Sequence, residues 1–401
     1  MAYQFSLDDV RYLTSAAGID ALAAAAALPM TAATLLTDLT TVRKFASQHA
    51  AGVVETVRLR RRAVPKLGER AAGWLFTDES LQQASPWPVA EHRAARMAAA
   101  GTGVHDLTCS IGTDLACLSA TGCRPLLGSD LDPVRLAMAA VNVPGVPIVQ
   151  ADALAPTSAG LRPYADPARR TDGGRRITSL DTVPSVAALD AAYLDRPPVL
   201  RLPPGIDYDE LRRPGEVEIV SLDGTAREAV LWPRAFAQGA VRRRASVLAS
   251  DGSSWQLTDV DDDGGADTLA APAGSWIVDP DAAVVRAHLV RHYAAAHGLQ
   301  LLDQHLAYLS GDSRPAGVRA FEVLDIAPFS ERTIAGWLRR DGVGTLEIKQ
   351  RGTPVVPDEL RRRLRPSMTG DTRISASLIV ARIGDAPMAF WCRAQEPGPP
   401  G

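Results

Sequence analysis

The stretch Asp106-Leu107-Thr108-Cys109-Ser110-Ile111-Gly112-Thr113-Asp114 decides the fold. A short apolar segment at residues 104–107 leads into it, and helical spacing follows over residues 112–120. Between them lies a tight loop of small residues, whose backbone can approach a ligand closely and turn its amides toward it. This order predicts a strand, a ligand-facing loop and a helix, although an ordinary strand-to-helix turn would have the same outline.

The same alternation repeats along the following sequence. Strand-like segments occur at residues 125–129 and 146–150, with a helical segment at residues 133–141 between them. This spacing predicts βαβ units and a doubly wound α/β core with a parallel sheet, the Rossmann-like class. Asp132 precedes Pro133, a pair typical of the start of a helix, so we expect Asp132 to cap that helix.

Acidic residues close three consecutive strands of the predicted sheet, namely Asp106, Asp130 and Asp152. Because open parallel sheets bind ligands at their carboxyl edge, we expect these acids to face one site. A carboxylate at Asp130 can accept both hydroxyls of a ribose, and one at Asp152 suits the amino group of adenine. The dinucleotide fingerprint G-x-G-x-x-G is absent, which argues against a NAD site.

Several motifs outside the loop match one known family. They are LFTDESLQQAS at residues 75–85, VAEHRA at 89–94, ADPARR at 165–170 and PGI at 204–206. On these motifs, residues 74–205 resemble a bacterial class I S-adenosylmethionine-dependent methyltransferase family that carries a THUMP-like domain at its C-terminal end. Residues 215–232 and 346–352 resemble that C-terminal domain.

The resemblance implies S-adenosyl-L-methionine as the cofactor. Thr108 and Ser110 stand where these enzymes generally have glycine, but both are small and both can donate a hydroxyl, so cofactor binding is still expected. Arg201 stands where we would expect the lysine of the family. The cofactor-binding residues that the resemblance implies are Asp106, Thr108, Ser110 and Gly112 in the loop, Asp130 for the ribose and Asp152 for the adenine.

Asp166-Pro167-Ala168-Arg169 marks the expected acceptor end, at the tip of the fourth strand. In amino methyltransferases an acid-Pro-Pro-aromatic loop at this point holds the target amine, and catalysis is mainly positioning. We therefore expect Asp166, Pro167 and Arg169 to be catalytic. Asp166 would orient the acceptor, and Arg169 would stack on a base or pair with a phosphate.

A similar D-P-x-R loop occurs in enzymes that methylate carbon-5 of uridine. Those enzymes need a nucleophilic cysteine in a later loop to make the base carbon reactive. No cysteine occurs between Cys123 and Cys392. The sequence therefore favours methylation of a nitrogen or oxygen atom.

The chain has 401 residues, more than a single core usually holds, so several domains are expected. We expect a helical N-terminal domain at residues 1–100, the methyltransferase core at 101–209, an α+β THUMP-like domain at 210–395 and a disordered tail at 396–401. The THUMP-like domain suggests structured RNA, tRNA or rRNA, as the partner. Because the net charge is −3, phosphate contacts must be local, and the candidates are Lys349, Arg351, Arg361 and Arg362.

Other features limit the classes of function. The four cysteines and seven histidines form neither a disulfide framework nor a zinc pattern, so we expect no metal and a cytoplasmic protein with reduced thiols. No signal-peptide pattern occurs at the N-terminus, and no apolar run is long enough to span a membrane. Two alternatives to an RNA methyltransferase stay open. One is a non-catalytic RNA-binding protein with a degenerate core, and the other is a methyltransferase for a small molecule or a protein.

Overall fold

The computed structural model describes residues 3–169, 171–172, 175–176, 182–211 and 213–396. The chain divides into two compact units. The first comprises residues 1–239 and 247–254, and the second comprises residues 240–246 and 255–401. Each unit has a buried apolar core of its own.

The N-terminal part of the first unit is helical, as the Ala-rich sequence predicts. A capping box starts its first helix, because Ser6 Oγ accepts a hydrogen bond from Asp9 N while the Asp9 carboxylate accepts one from Ser6 N. Apolar faces of these helices pack into one core, with Val53 and Leu59 fully buried. The helices are α1 (Leu7–Thr14), α2 (Ala16–Ala26), α3 (Leu35–Ala46), α4 (Ala50–Leu67), α5 (Asp78–Gln83) and α6 (Trp87–Ala99).

A parallel sheet follows and confirms the predicted alternation of strands and helices. The elements of this region are β1 (Val104–Asp106), α7 (Thr113–Ala120), β2 (Leu126–Asp130), α8 (Pro133–Asn142), β3 (Ile148–Gln150), β4 (Arg162–Ala165), the short strands β5 (Ala168–Arg169), β6 (Thr171–Asp172), β7 (Arg175–Arg176) and β8 (Thr182–Val183), then α9 (Val186–Ala192), β9 (Val199–Leu202) and α10 (Tyr208–Leu211). The short strands pair antiparallel, β5 with β8 and β6 with β7, apart from the parallel sheet. Five strands lie in the order β9-β4-β1-β2-β3, and every neighbouring pair among them is parallel.

An antiparallel hairpin continues this sheet. Its strands are β10 (Glu216–Leu222) and β11 (Thr225–Trp232), and β11 pairs with β9. Asp223 and Gly224 join them with φ of +51° and +74°, the left-handed pair that a two-residue hairpin turn prefers. The first unit therefore continues to residue 239, whereas the sequence placed the boundary after residue 209. The difference arises because the hairpin, which resembled the THUMP-like domain, hydrogen-bonds to the core sheet.

The second unit is a mixed α+β structure. After β12 (Arg243–Leu248) and β13 (Ser254–Thr258), through which the division between the units passes, its strands are β14 (Trp276–Val278), β15 (Gln300–Leu301), β16 (Leu309–Gly311), β17 (Ala320–Pro328), β18 (Val343–Arg351), β19 (Asp371–Ile383) and β20 (Ala386–Gln395). They form a sheet in the order β15-β16-β14-β17-β20-β19-β18. The helices are α11 (Ala282–Arg286), α12 (Val290–Ala296), α13 (Glu331–Arg340) and α14 (Pro357–Leu364). In the described part of the chain, we find no helix with both the length and the apolar character that a bilayer crossing needs.

Candidate active site

A pocket of the first unit opens at the carboxyl ends of β1, β2 and β4, the edge where open parallel sheets bind ligands. It is lined by five of the residues that the sequence predicts for the site, which are Thr108, Ser110, Asp130, Asp152 and Asp166. The segment at and after α5 supplies another wall. The fold thus gathers strand ends and a helical segment that are far apart in the sequence.

Asp130, at the end of β2, connects two loops of the pocket. Its Oδ2 accepts a hydrogen bond from Ser110 N at 3.0 Å, and its Oδ1 accepts one from Asp132 N at 3.0 Å. Each oxygen keeps further lone-pair capacity, so the carboxylate can still accept ribose hydroxyls. Asp132 accepts from Val134 N and Arg135 N, which confirms it as the cap of α8.

The expected adenine end combines a polar and an apolar residue. Asp152 is exposed in the pocket wall, and its Oδ1 accepts a hydrogen bond from Leu154 N at 2.9 Å. Leu131 lines the same pocket with 63 % of its surface exposed. A leucine and a carboxylate in one pocket offer a planar base an apolar contact and a hydrogen-bond acceptor. The sequence interpretation missed Leu131.

The loop between β1 and α7 turns sharply at Ser110 and Gly112, whose φ angles of +49° and +86° are both left-handed. A Cβ at Gly112 would lie 2.7 Å from Val143 Cγ2, so only glycine fits there. Ser110 Oγ and Thr113 Oγ1 are buried at the pocket and have no hydrogen-bond partner among the described residues. Buried polar atoms of this kind are usually satisfied by a ligand or a water molecule.

Thr108 connects this loop to the end of β4. Its hydroxyl accepts a hydrogen bond from Asp166 N at 2.8 Å, and its amide donates to Asp106 at 3.2 Å. Asp106 is 1 % exposed and does not line the pocket. Burial raises the pKa of Asp106 well above its usual value, and the charge of Asp114 adds to this effect. Asp106 therefore supports the loop from inside the core.

Asp166, at the acceptor end, pairs with Arg201. The guanidinium donates to the Asp166 carboxylate and also to the Gln83 carbonyl at 2.9 Å. Burial raises the pKa of Asp166 to about 6, with Arg201 opposing the rise and the carboxylates of Asp114 and Glu228 adding to it. Asp166 consequently changes its charge near pH 6, and Arg201 joins it to the C-terminal end of α5.

Pro167 and Arg169 were also predicted to be catalytic. Pro167 is buried and does not line the pocket. Arg169 lies in β5, but its side chain falls outside the described residues, so its role stays a prediction. Val183, on β8, and Pro184 line the pocket on this side.

A buried charge network supports Arg201. Glu228, on β11, pairs with Arg201 at 3.3 Å and also with Arg93, which pairs in turn with Asp114 at 2.5 Å. Arg93 and Glu228 are each 1 % exposed. Asp114 also accepts a hydrogen bond from Tyr164 Oη at 2.8 Å. Burial acts to raise the pKa of Asp114, but the charges of Arg93 and Arg201 outweigh it and hold that pKa below its usual value.

Sequence reasoning missed this network. Arg93 lies in a motif that carried only the family resemblance, and Glu228 lies in the hairpin that was assigned to the other domain. One signal was available: Glu228 directly precedes the apolar run Ala229-Val230-Leu231-Trp232. An acid at the edge of a buried strand usually has a charged partner.

Comparison with known proteins decides the family. Two uncharacterized S-adenosylmethionine-dependent methyltransferases, from Mycobacterium tuberculosis strains CDC 1551 and H37Rv, are each 45 % identical to this chain over 357 residues. The match covers 85 % of this chain and 96 % of each relative. The chain belongs to this S-adenosylmethionine-dependent methyltransferase family. S-adenosyl-L-methionine is therefore its cofactor, as the sequence motifs predicted.

Further matches fall on separate parts of the methyltransferase. A THUMP domain-like family model matches residues 318–394, and a model for a domain of unknown function (DUF8688) matches residues 6–63. The crystal structure of a methyltransferase candidate from Porphyromonas gingivalis W83 has the same fold, with a TM-score of 0.71 and 19 % identity. It covers 98 % of this chain and 100 % of its own. The THUMP domain-like match does not include the β10–β11 hairpin, in agreement with the place of that hairpin in the core sheet.

The pocket of the methyltransferase fits this cofactor. Asp130 can accept the ribose hydroxyls, and Asp152 with Leu131 can take the adenine. The unpartnered hydroxyls of Ser110 and Thr113 suit the polar amino-acid end. The carboxylates in the same pocket also suit a cofactor whose sulfonium is positively charged.

The predicted RNA contacts differ in how free their charges are. Lys349 and Arg351, on β18, are half-buried and both pair with Asp279, at 2.9 and 2.8 Å. Arg361 pairs with a carboxylate of its own helix. Arg362 is exposed, and no ion pair to it occurs within the described residues. Their role in RNA binding stays a prediction.

One of the four cysteines lies at the pocket. The four cysteines are all buried, and Cys109 is the one that lines the pocket. Burial raises the pKa of the Cys109 thiol, so it stays protonated and is a poor nucleophile. Among the described residues, no group of three or more His, Cys, Asp or Glu side chains is arranged to hold a metal ion.

Proposed function

We propose that this methyltransferase transfers a methyl group to a nitrogen or oxygen atom of structured RNA, with tRNA and rRNA as the candidate substrates. The observation that carries the proposal is the THUMP domain-like match at residues 318–394. An exposed basic surface within the same unit supports it, because affinity for RNA comes largely from phosphate contacts.

This basic surface consists of Arg339, Arg361, Arg362 and Arg365, and we call it the arginine surface. Arg361, Arg362 and Arg365 share a groove along α14 and the turn after it. Arg339 donates to Ser367 Oγ at 2.9 Å, which brings it to the same turn. Arg339, Arg362 and Arg365 are exposed, and none of them pairs with a carboxylate in the described part of the chain. Their charges are open to phosphates.

Asp166 is the residue that we propose orients the acceptor. The bound cofactor supplies an already activated methyl group, so the protein contributes mainly positioning. An ionised Asp166 can accept a hydrogen bond from the amine or hydroxyl that is to be methylated, while Arg201 fixes the carboxylate through its hydrogen bonds to Asp166 and Gln83. Because the pKa of Asp166 is about 6, methyl transfer should increase as the pH rises through that value.

Labelled cofactor tests this proposal directly. We would incubate the protein with methyl-labelled S-adenosylmethionine in three separate reactions. One contains unmodified tRNA, one contains unmodified rRNA and one contains an extract of small metabolites. We expect label in an RNA, and a rate at least about 100-fold lower for Asp166→Asn. Asp195→Asn changes an exposed acid outside the pocket and should keep the wild-type rate.

The other outcomes identify the alternatives. Label in the metabolite extract alone would replace RNA with a small-molecule substrate. If no fraction is labelled while S-adenosylhomocysteine still binds, the non-catalytic RNA-binding alternative is favoured.

A further inference from the structure

The C-terminal end of α5 holds two cations beside the pocket. Lys66 Nζ, on α4, donates hydrogen bonds to the carbonyls of Leu81 at 2.7 Å and Gln82 at 2.9 Å. Arg201, on β9, donates to the next carbonyl, that of Gln83, at 2.9 Å. The last carbonyls of a helix carry a partial negative charge, which attracts cations. Because Gln83 and Arg201 both line the pocket, Lys66 lies beside its acceptor end.

Arg227, on β11, is a third cation near this end. It is exposed and directly precedes Glu228, whose carboxylate accepts a hydrogen bond from Ser85 Oγ at 2.9 Å. Burial lowers the pKa of Lys66 to about 8, and the charges of Arg201 and Arg227 add to this effect. Lys66 is therefore close enough to both arginines to be repelled by them.

Carboxylates balance only part of this positive charge. Arg201 pairs with Asp166 and Glu228. Neither Lys66 nor Arg227 forms an ion pair with a residue that the structure describes. An ammonium group has three N–H donors, of which Lys66 uses two on the carbonyls of α5. An anion at this place would accept the third and would offset the repulsion from the arginines.

We propose that Lys66 and Arg227, which we call the rim cations, bind a phosphate of the RNA strand at the acceptor end of the pocket. This inference rests on the proposed function and extends it to the position of the strand. Arg201 joins Asp166 to the same end of α5, so the phosphate belongs to the methylated nucleotide or to its direct neighbour. The enzyme then favours a nucleotide within a strand over a free nucleoside, which has no phosphate. Such a contact positions the strand without selecting its sequence.

Acetylation of lysine side chains tests this contact, because the chain has only Lys44, Lys66 and Lys349. We would treat the protein with acetic anhydride at about pH 8, close to the pKa of Lys66, with S-adenosylhomocysteine present. Mass spectrometry would give the rate at each lysine with and without unmodified tRNA, or unmodified rRNA where that binds more tightly. We expect RNA to slow the acetylation of Lys66 severalfold, because a phosphate covers the amine and favours its protonated form. Lys44, which is exposed on α3, should react at an unchanged rate.

A charge variant gives a second, independent measurement. Arg227→Gln should reduce the slope of log affinity for RNA against log salt by about 1, because one phosphate contact is lost. Arg43→Gln is the matched control, because Arg43 is an exposed arginine of α3 that does not line the pocket, and its slope should stay at the wild-type value. Both variants should bind S-adenosylhomocysteine with wild-type affinity, which shows that they are folded and that the pocket is intact.

The results separate this inference from the proposed function. In a protein that binds RNA, equal acetylation of Lys66 with and without RNA would overturn the inference and leave the RNA substrate in place. An unchanged salt slope in Arg227→Gln would do the same. A wild-type protein that binds neither RNA would overturn the proposed function, and the inference with it.

Discussion

Asp130 and Asp132 are two acids of one loop with different roles, and this difference can be measured. Asp130→Ala should lower the affinity for S-adenosylhomocysteine by about 100-fold or more, because the ribose loses its acceptor and Ser110 N loses its partner. Asp132→Ala removes a helix cap and should lower the free energy of unfolding by about 1 kcal/mol with little change in affinity. Calorimetry and urea denaturation measure the two effects. If Asp132→Ala lowered the affinity and Asp130→Ala did not, the assignment of the ribose to Asp130 would be wrong.

The charge of Asp166 gives a prediction about stability and pH. Its pKa is raised from 3.8 to about 6 in the folded protein, so between these values the folded state holds a proton that the unfolded chain has lost. The stabilisation that this proton gives the folded state is fully present below about pH 4 and is lost as the pH rises through about 6. The variant Asp166→Asn lacks this pH-dependent stabilisation. Urea denaturation should therefore show the wild type losing stability relative to the variant between pH 4 and pH 7, and a constant difference would refute the shift.

Individual site residues could be predicted where their position relative to a strand can be read from the local sequence. Asp130 and Asp152 follow strands that hydrophobic spacing reveals, so their meeting at one edge could be expected. Thr113 and Leu131 are next to predicted residues, but burial and exposure, which singled them out, are properties of the folded chain. The apolar run after Glu228 indicates a charged partner, but which residues pair with it could not be predicted, because they are set by the pairing of β11 with β9.

Among the elements, β11 extends the core sheet and also carries the buried carboxylate of Glu228. Residues 229–231 pair with β9, and Glu228 pairs with Arg93 and Arg201. A chain of residues 1–209 should therefore fail to fold, since β9 would become an exposed edge and the buried arginines would lose a partner. A chain of residues 1–254 should unfold cooperatively in urea. Equal midpoints for the two chains would show that the hairpin is dispensable.

The position of this hairpin also explains the shifted domain boundary. Alternating residues and the Asp-Gly turn predicted the hairpin itself. Local pattern does not say which strand a hairpin joins, so the partner strand β9 became visible only in the structure. The strands at residues 104–107, 125–129 and 146–150 and the helices at 112–120 and 133–141 were predicted correctly. The pairing of β4 with β1 joins strands that are not consecutive in the chain, so it too became visible only in the structure.

The arginines at the end of α14 give a prediction about how the affinity for RNA depends on salt concentration. Replacing both Arg362 and Arg365 with alanine should weaken RNA binding and reduce the slope of log affinity against log salt by about 1 to 2. Arg373→Ala is the control, because Arg373 is exposed but already pairs with Asp371. Filter binding at several salt concentrations provides the measurement. An unchanged slope in the double variant would remove the arginine surface from the RNA contact.

For the whole molecule, we expect S-adenosylhomocysteine and RNA to protect different regions from amide hydrogen exchange. We expect S-adenosylhomocysteine to slow amide hydrogen exchange in residues 107–113 and 130–131 of the first unit. We expect RNA to slow exchange in residues 357–368 of the second unit. Mass spectrometry of peptides from each complex would resolve both regions. Protection by RNA confined to the first unit would contradict a role for the arginine surface.

The buried charge network has a consequence for how this protein can diverge. Replacing Arg93 alone removes the ion-pair partner of Asp114 and one of the two partners of Glu228, and replacing Glu228 alone removes one partner from each arginine. Either single change unbalances the buried charges, at a cost of up to about 3–5 kcal/mol. A neutral pair that replaces both removes one charge of each sign and keeps the net charge of the network, so it should be tolerated better. During evolution, residues of this network should therefore be replaced in pairs. A library that varies one of these positions at a time should yield only destabilised variants. Directed evolution toward a new acceptor should begin from paired codons on α6 and β11.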